Sequence, residues 1–248
     1  MPAPEFTPLD GITQAVAAIF YVAIGAAAWM RATGDIRTRV FLAFSIANFV
    51  VFSVPTVWWL RGASDHVKLP VEAMTAITSA MGVGALLLFH FTQVFPRRRP
   101  WIKTSGMQMA VAYCLAPLTI AGLLWFAPSS IDGLKTPYKL ALIVFGFPLG
   151  VLLGIVLPVT AIVSLARSHR ELQQHGPAEL KRPLELILLS QIAGGTLAAV
   201  FAPVLAAVAP NSGIQSLLTL VIWGLGLLTP LAFAAAVWKF NVLAISPE

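Results

Sequence analysis

Seven apolar runs, each long enough to cross a bilayer as a helix, leave this chain little choice of fold. About 20 apolar residues in helical conformation span the roughly 30 Å of hydrocarbon in a membrane. Runs of that kind cover residues 11–30, 40–60, 73–95, 107–126, 140–165, 184–208 and 216–238. Within lipid every backbone N–H and C=O needs an internal partner, so such runs read as helices and not as strands. The sequence therefore predicts an all-α polytopic membrane protein, a single seven-helix transmembrane domain over residues 1–248. Composition points the same way. Only 10% of residues are charged and the mean hydropathy is +0.85, whereas a soluble domain carries about 25% charged residues. The first run lacks both a basic leader and an A-x-A cleavage site, so it reads as a span and not as a cleaved signal peptide. The one cysteine, Cys114, excludes an internal disulfide.

The stretch "ALLLFHFTQVFPRRRPW", Ala85 to Trp101, shows how the spans are oriented. An apolar run closes on Phe95–Pro96 and meets Arg97, Arg98 and Arg99 at once. Lys and Arg accumulate in cytoplasmic loops. One set of alternate loops holds Arg31, Arg37, Arg39, Arg97, Arg98, Arg99, Lys103, Arg167, Arg170, Lys181, Arg182 and Lys239. The opposite set holds only Arg61, Lys68, Lys135 and Lys139. The expected N-terminus is outside and the C-terminus cytoplasmic. The net charge of +6 follows from this asymmetry, and the partner it implies is an anionic lipid head group and not a nucleic acid.

No Asp, Glu, Lys or Arg stands near the middle of any span. Embedded ionisable groups mark proton relays, ion paths and counter-ions, so a proton or cation pump is disfavoured. A retinal protein needs a lysine deep in its last helix, and Lys239 stands at the boundary instead. His90 has no second histidine at i+3 or i+4, and His66, His169 and His175 read as loop residues, so no metal or haem ligand set is expected. No nucleophile–base pairing is visible. The expectation is a protein without catalysis or cofactor. The mild polar groups inside the spans have two readings. Interhelical hydrogen bonds, worth about 0.6 kcal/mol each, are the plain one; the sharper is an in-bundle ligand pocket lined by Asn48, His90 and Gln191.

In "GFPLGVLLGIVLP" Gly146, Gly150 and Gly154 recur every fourth residue, a small-residue face that lets another helix approach closely. Prolines interrupt the later spans at Pro117, Pro148, Pro158, Pro203 and Pro230, each removing a backbone donor and inviting a kink.

Three connections carry a likeness to a known family. "HFTQVFPRRRP", His90–Pro100, resembles the end of the third helix in the seven-helix membrane region found N-terminal to many bacterial sensor histidine kinases. "RSHRELQQHGPAELKRPLELILLSQIAG", Arg167–Gly194, is similar to that family's fifth-to-sixth connection, where a polar helical extension leads through basic residues into an apolar run. "VWKFNVLAIS", Val237–Ser246, resembles the exit from helix seven toward the signalling helix. The resemblance implies a helix stop at Phe95–Pro96, an exit segment at Lys239–Phe240 and residence in the bacterial cytoplasmic (inner) membrane. No phosphoacceptor or ATP-binding motif follows Trp238, so the expectation is the membrane part of something longer, or a protein acting through another. The function expected is a receptor-like sensory module relaying a signal to a cytoplasmic partner or output domain. The alternative is a non-catalytic auxiliary or structural subunit of a larger membrane complex. Under either, Arg97, Arg98, Arg99, Arg167, Arg170, Lys181, Arg182 and Lys239 would contact lipid or a partner on the cytoplasmic side.

Overall fold

In a computed structural model of the protein, the described residues are 8–60, 71–95, 144, 147–175, 178–194 and 213–244. They are helical throughout, with no strand among them. The first three apolar runs become α1 (Pro8–Arg31), α2 (Ile36–Leu60) and α3 (Val71–Val94). The fifth run is one continuous rod made of α4 (Phe147–Val151), a π-helical turn (Leu152–Val156) and α5 (Leu157–His175). The described part of the sixth run becomes α6 (Ala178–Ile192) and the seventh becomes α7 (Gly213–Ala234), while residues 195–208 of the expected sixth span lie outside the described residues. α7 continues through a π turn, Ala235–Lys239, and a short 3-10 turn, Val242–Ala244. The expected span 107–126 lies outside the described residues.

Neighbours in sequence are neighbours in space. α1 packs on α2, α2 on α3, α3 on α5, α5 on α6 and α6 on α7, and α7 returns to α1, which closes a ring. Among the described residues two helices are long and apolar enough to cross a membrane, at Gly11–Arg31 and Ile36–Val57, with shorter apolar stretches at Ser79–Val94 and Gly224–Lys239. Their outward side chains are apolar, among them Ile12, Ile19, Met30, Ile46 and Leu60. The polar Ser45, Thr56, Gln93 and Gln191 are buried instead. The interior around them is apolar as well, and side chains that are apolar both inside and on the outer face are compatible with membrane association.

The helix ends differ from the apolar runs in two places. α5 continues ten residues past the expected limit at 165, to His175, because Leu165 and Leu172 remain buried while the residues between them are sound helix formers. α6 starts at Ala178, six residues before the expected limit at 184, with Glu179 in its first turn and Leu180 buried. His169 and His175 thus belong to α5 and not to a loop. The π turn in the fifth rod has a local cause. Pro158 has no N–H to offer the carbonyl four residues back, and just before it the Leu157 amide bonds to Leu152 O, five residues back.

Among the described glycines, the tightest helix approach is at Gly25. A Cβ there would stand 2.7 Å from both Cβ and Oγ of Ser45 on α2, so only a glycine lets α1 and α2 meet at that level. Gly194 serves similarly against α7, where a Cβ would come within 3.2 Å of Leu225 O. The glycine face expected on the fifth span falls partly outside this description. Gly150 lies in α4 and Gly154 in the π turn, while Gly146 is outside the described residues.

Candidate functional site

Among the described residues, hydrogen bonds are dense at the tight connection between α1 and α2. Its backbone turns at Ala32 and Asp35, whose amides bond to Trp29 O and Ala32 O. Asp35 then caps α2. Its Oδ1 accepts the Arg37 backbone N–H at 2.8 Å, the arrangement that favours Asp before a first helical turn. The same carboxylate holds the Arg37 side chain in a two-pronged grip, with Nε at 3.0 Å from Oδ1 and Nη2 at 2.6 Å from Oδ2. Loop carbonyls find partners in the first turn of α2: the Thr38 hydroxyl donates to Ala32 O and Asp35 O, and Arg39 Nε to Thr33 O. Arg37 is 0% exposed. A fully buried guanidinium is tolerable only when paired and hydrogen-bonded, and here it is both.

What that buried arginine holds is the end of the chain. α7 leaves its π turn at Phe240, and Asn241 adopts a left-handed backbone with φ 50, a conformation Asn tolerates better than most residues. The reversal points Val242 inward, where it is fully buried. Arg37 Nη1 donates to Val242 O at 3.2 Å, and Arg31 Nη2 donates to Asn241 Oδ1 at 3.1 Å. α6 packs against both the π turn and the 3-10 turn on the other side. The exit segment is therefore seated between the first connection and the base of α6.

Higher on α7 a second fastening joins the same two ends of the chain. Pro230 deprives Gly226 O of its usual helical donor, and the Tyr21 hydroxyl of α1 donates to that carbonyl at 2.8 Å. Tyr21→Phe should strand the carbonyl and lower stability by about 1–3 kcal/mol. In a Pro230→Ala background the restored amide at position 230 takes the carbonyl over, so the same change should be nearly neutral. Unfolding of the four proteins in a detergent titration checks this, and equal effects of Tyr21→Phe in both backgrounds would remove the proline from the explanation.

The residues nominated from sequence are distributed as follows. Asn48 donates to Phe44 O of its own helix at 2.9 Å. Gln191 donates to Thr229 Oγ1 at 2.7 Å and so ties α6 to α7. His90 is half-buried on α3. Gln93, one turn on from His90, bridges to Ser164 Oγ of α5 at 3.0 Å. Gln191 thus makes an interhelical bond of the kind the plainer reading expects, whereas Asn48 bonds within its own helix. Arg167 and Arg170 are exposed on α5. Lys181 Nζ donates to Gln173 O across the α5–α6 turn at 3.2 Å. Arg182, with its side chain 77% exposed, stands 3.8 Å from Glu185, a surface pair of little energetic weight. Lys239 Nζ lies 5.6 Å from the Phe240 ring centroid. Arg97, Arg98 and Arg99 are outside the described residues.

Sequence reasoning passed over the Asp35–Arg37 pair. Arg37 counts as one more loop cation when only charge is read, and Asp35 as its solvated neighbour. The available signal was an N-cap Asp two residues before an Arg, at the start of a long apolar run. Among the described residues no group of three or more His, Cys, Asp or Glu could hold a metal ion. The chain matches no protein-family model and no curated protein.

Proposed function

We propose that this chain is a seven-helix sensory module of a bacterial cytoplasmic membrane, with its N-terminus outside, that relays a signal through its cytoplasmic exit segment to a protein partner or output domain. The orientation rests on the Lys and Arg bias between alternate loops. The observation that carries the relay is the seating of the exit: the segment after α7 is bonded to Arg37 and Arg31 and backed by α6. A change in packing anywhere around the ring reaches that seat through α1, α2 or α6. Exposed Arg167 and Arg170 on α5 and Arg182 on α6 offer basic contacts to anionic head groups or to an acidic partner face. The reading assigns no chemistry to the chain itself.

Two measurements test this. A reporter active only in the cytoplasm should work when fused after Glu248 and fail in the loop around Asp132; the reverse would overturn the topology. A photo-crosslinking residue at Ala244 or Arg170, in native membranes, should capture a soluble signalling protein. Adducts confined to other integral subunits, formed from a lipid-facing position such as Leu189, would overturn the relay in favour of an auxiliary subunit of a larger membrane complex.

A further inference from the structure

The last helix is fixed at two levels and irregular between them. The upper fastening is Tyr21 on Gly226 O and the lower is the Arg37 and Arg31 clasp on residues 241–242. Between them lies the π turn Ala235–Lys239, in which the Phe240 amide reaches back five residues to Ala235 O at 3.2 Å. A π turn is an α-helix carrying one residue too many, and such turns concentrate at functional sites. The residues that form it are suited to sliding. Ala235 and Ala236 present only methyl groups to the ring, and Trp238 and Lys239 lie outside it. Apart from Val237, no large side chain of this turn has to cross the packed interior.

We propose that this turn is a register switch, and that the clasp on Asn241 and Val242 selects its state. In the closed state the extra residue is stored in the π turn and Val242 points inward. If the turn relaxes to α-helical bonding, the extra residue passes into the exit, which turns by about 100° and moves about 1.5 Å along the axis. Val242 O cannot then remain on Arg37. The two states exclude one another, as a switch requires.

The donors on Arg37 are divided in a way that permits this. Nε and Nη2 go to Asp35, and Nη1 goes to Val242 O. Release of the exit breaks the Nη1 bond and leaves the buried ion pair whole, so no charge is stranded in the open state. Arg31 and Asn241 form an exposed bond, placed where a partner or a lipid head group can compete for it. The switch deepens the relay reading and rests on it for its purpose. The test below reads the turn itself, so its failure leaves the crosslinking result standing, and a protein that captured no signalling partner could still pass it.

The experiment places spin labels at Arg182→Cys on α6 and Ala244→Cys on the exit, in the full chain with Cys114→Ser, and reads the distance between them by pulsed electron resonance. The clasp is weakened by Arg37→Lys, which keeps the charge opposite Asp35 but gives up the fork, combined with Arg31→Ala. The expected result is a second distance population, displaced by on the order of 5–8 Å for a label on a helix turned through that angle. Deleting Ala235 removes the extra residue, so in that background the same clasp variant should keep one population at the original distance. Absence of a second population with Ala235 present overturns the switch. A second population, or equal broadening, in the deletion background also overturns it, because the exit would then be fraying without a change of register. If Arg37→Lys does not fold, Arg31→Ala alone is read by the same criteria.

Discussion

Asp35→Ala should destabilise the protein by about 3–5 kcal/mol, the loss typical when one partner of a buried ion pair is removed. The reason is specific to this site. Arg37 is 0% exposed and Asp35 supplies both the prongs of its ion pair and the cap of α2. Removing the carboxylate takes away the counter-charge that Asp35 supplies to a fully buried guanidinium. Two further variants divide the effect. Asp35→Asn keeps an oxygen for the cap, since Asn is as good an N-cap as Asp, and loses only the charge. Its loss should therefore be the smaller. Asp35→Asn with Arg37→Met removes both charges and should recover much of the stability, because an apolar replacement of a buried pair is often neutral or better. Denaturant or thermal unfolding in detergent reads all three. If the double variant is as unstable as Asp35→Ala, the stranded charge is not the cause, and the cap or the Val242 bond carries the site.

The helices were legible because the length of an apolar run is a direct measure of what lipid requires. Span one was expected at 11–30 and α1 is Pro8–Arg31; span three was expected at 73–95 and α3 is Val71–Val94. The polar ends of α5 and α6 were not legible by that measure, since hydropathy stops at the membrane edge while helical hydrogen bonding does not. Leu172 and Leu180 keep those ends packed, and a single buried leucine in a polar stretch carries little weight in a window average. The π turn after α7 was out of reach for another reason. Beyond that turn, Val242 is held by Arg37, about two hundred positions away, a contact that no local pattern announces. The clasp was hidden by the same distance. Asn48 and Gln191 were chosen for polarity within apolar runs, a signal that picks out a bond within one helix at Asn48 and a bond between helices at Gln191 as readily as it would a pocket.

The second large effect is expected at Phe233, where three helices are stitched together. Its ring stacks on Phe41 of α2 with centroids 3.7 Å apart and meets Phe91 of α3 edge-on at 5.4 Å. Phe95 closes the group at 6.5 Å. In a water-soluble core, Phe→Ala costs about 3–5 kcal/mol. In a bilayer the transfer part of that figure falls away, because lipid tails are as apolar as the protein interior and packing drives helix association instead. The cavity part remains. A void of roughly 100 Å³ at about 24 cal/mol per Å³ leaves a loss on the order of 2–3 kcal/mol for Phe233→Ala. Leu231, two residues away and exposed on the outer face, is the matched control. Its truncation opens no cavity, since lipid fills the space, and Leu231→Ala should be close to neutral. The contrast is sharper than either number alone, because a soluble bundle would also gain from losing an exposed leucine to water. Unfolding of both variants in mixed micelles measures it. Equal losses at positions 233 and 231 would show that Phe41, Phe91, Phe95 and Phe233 do not fasten α7 to the ring, and the path from the bundle to the exit would then run through α1 and the clasp alone.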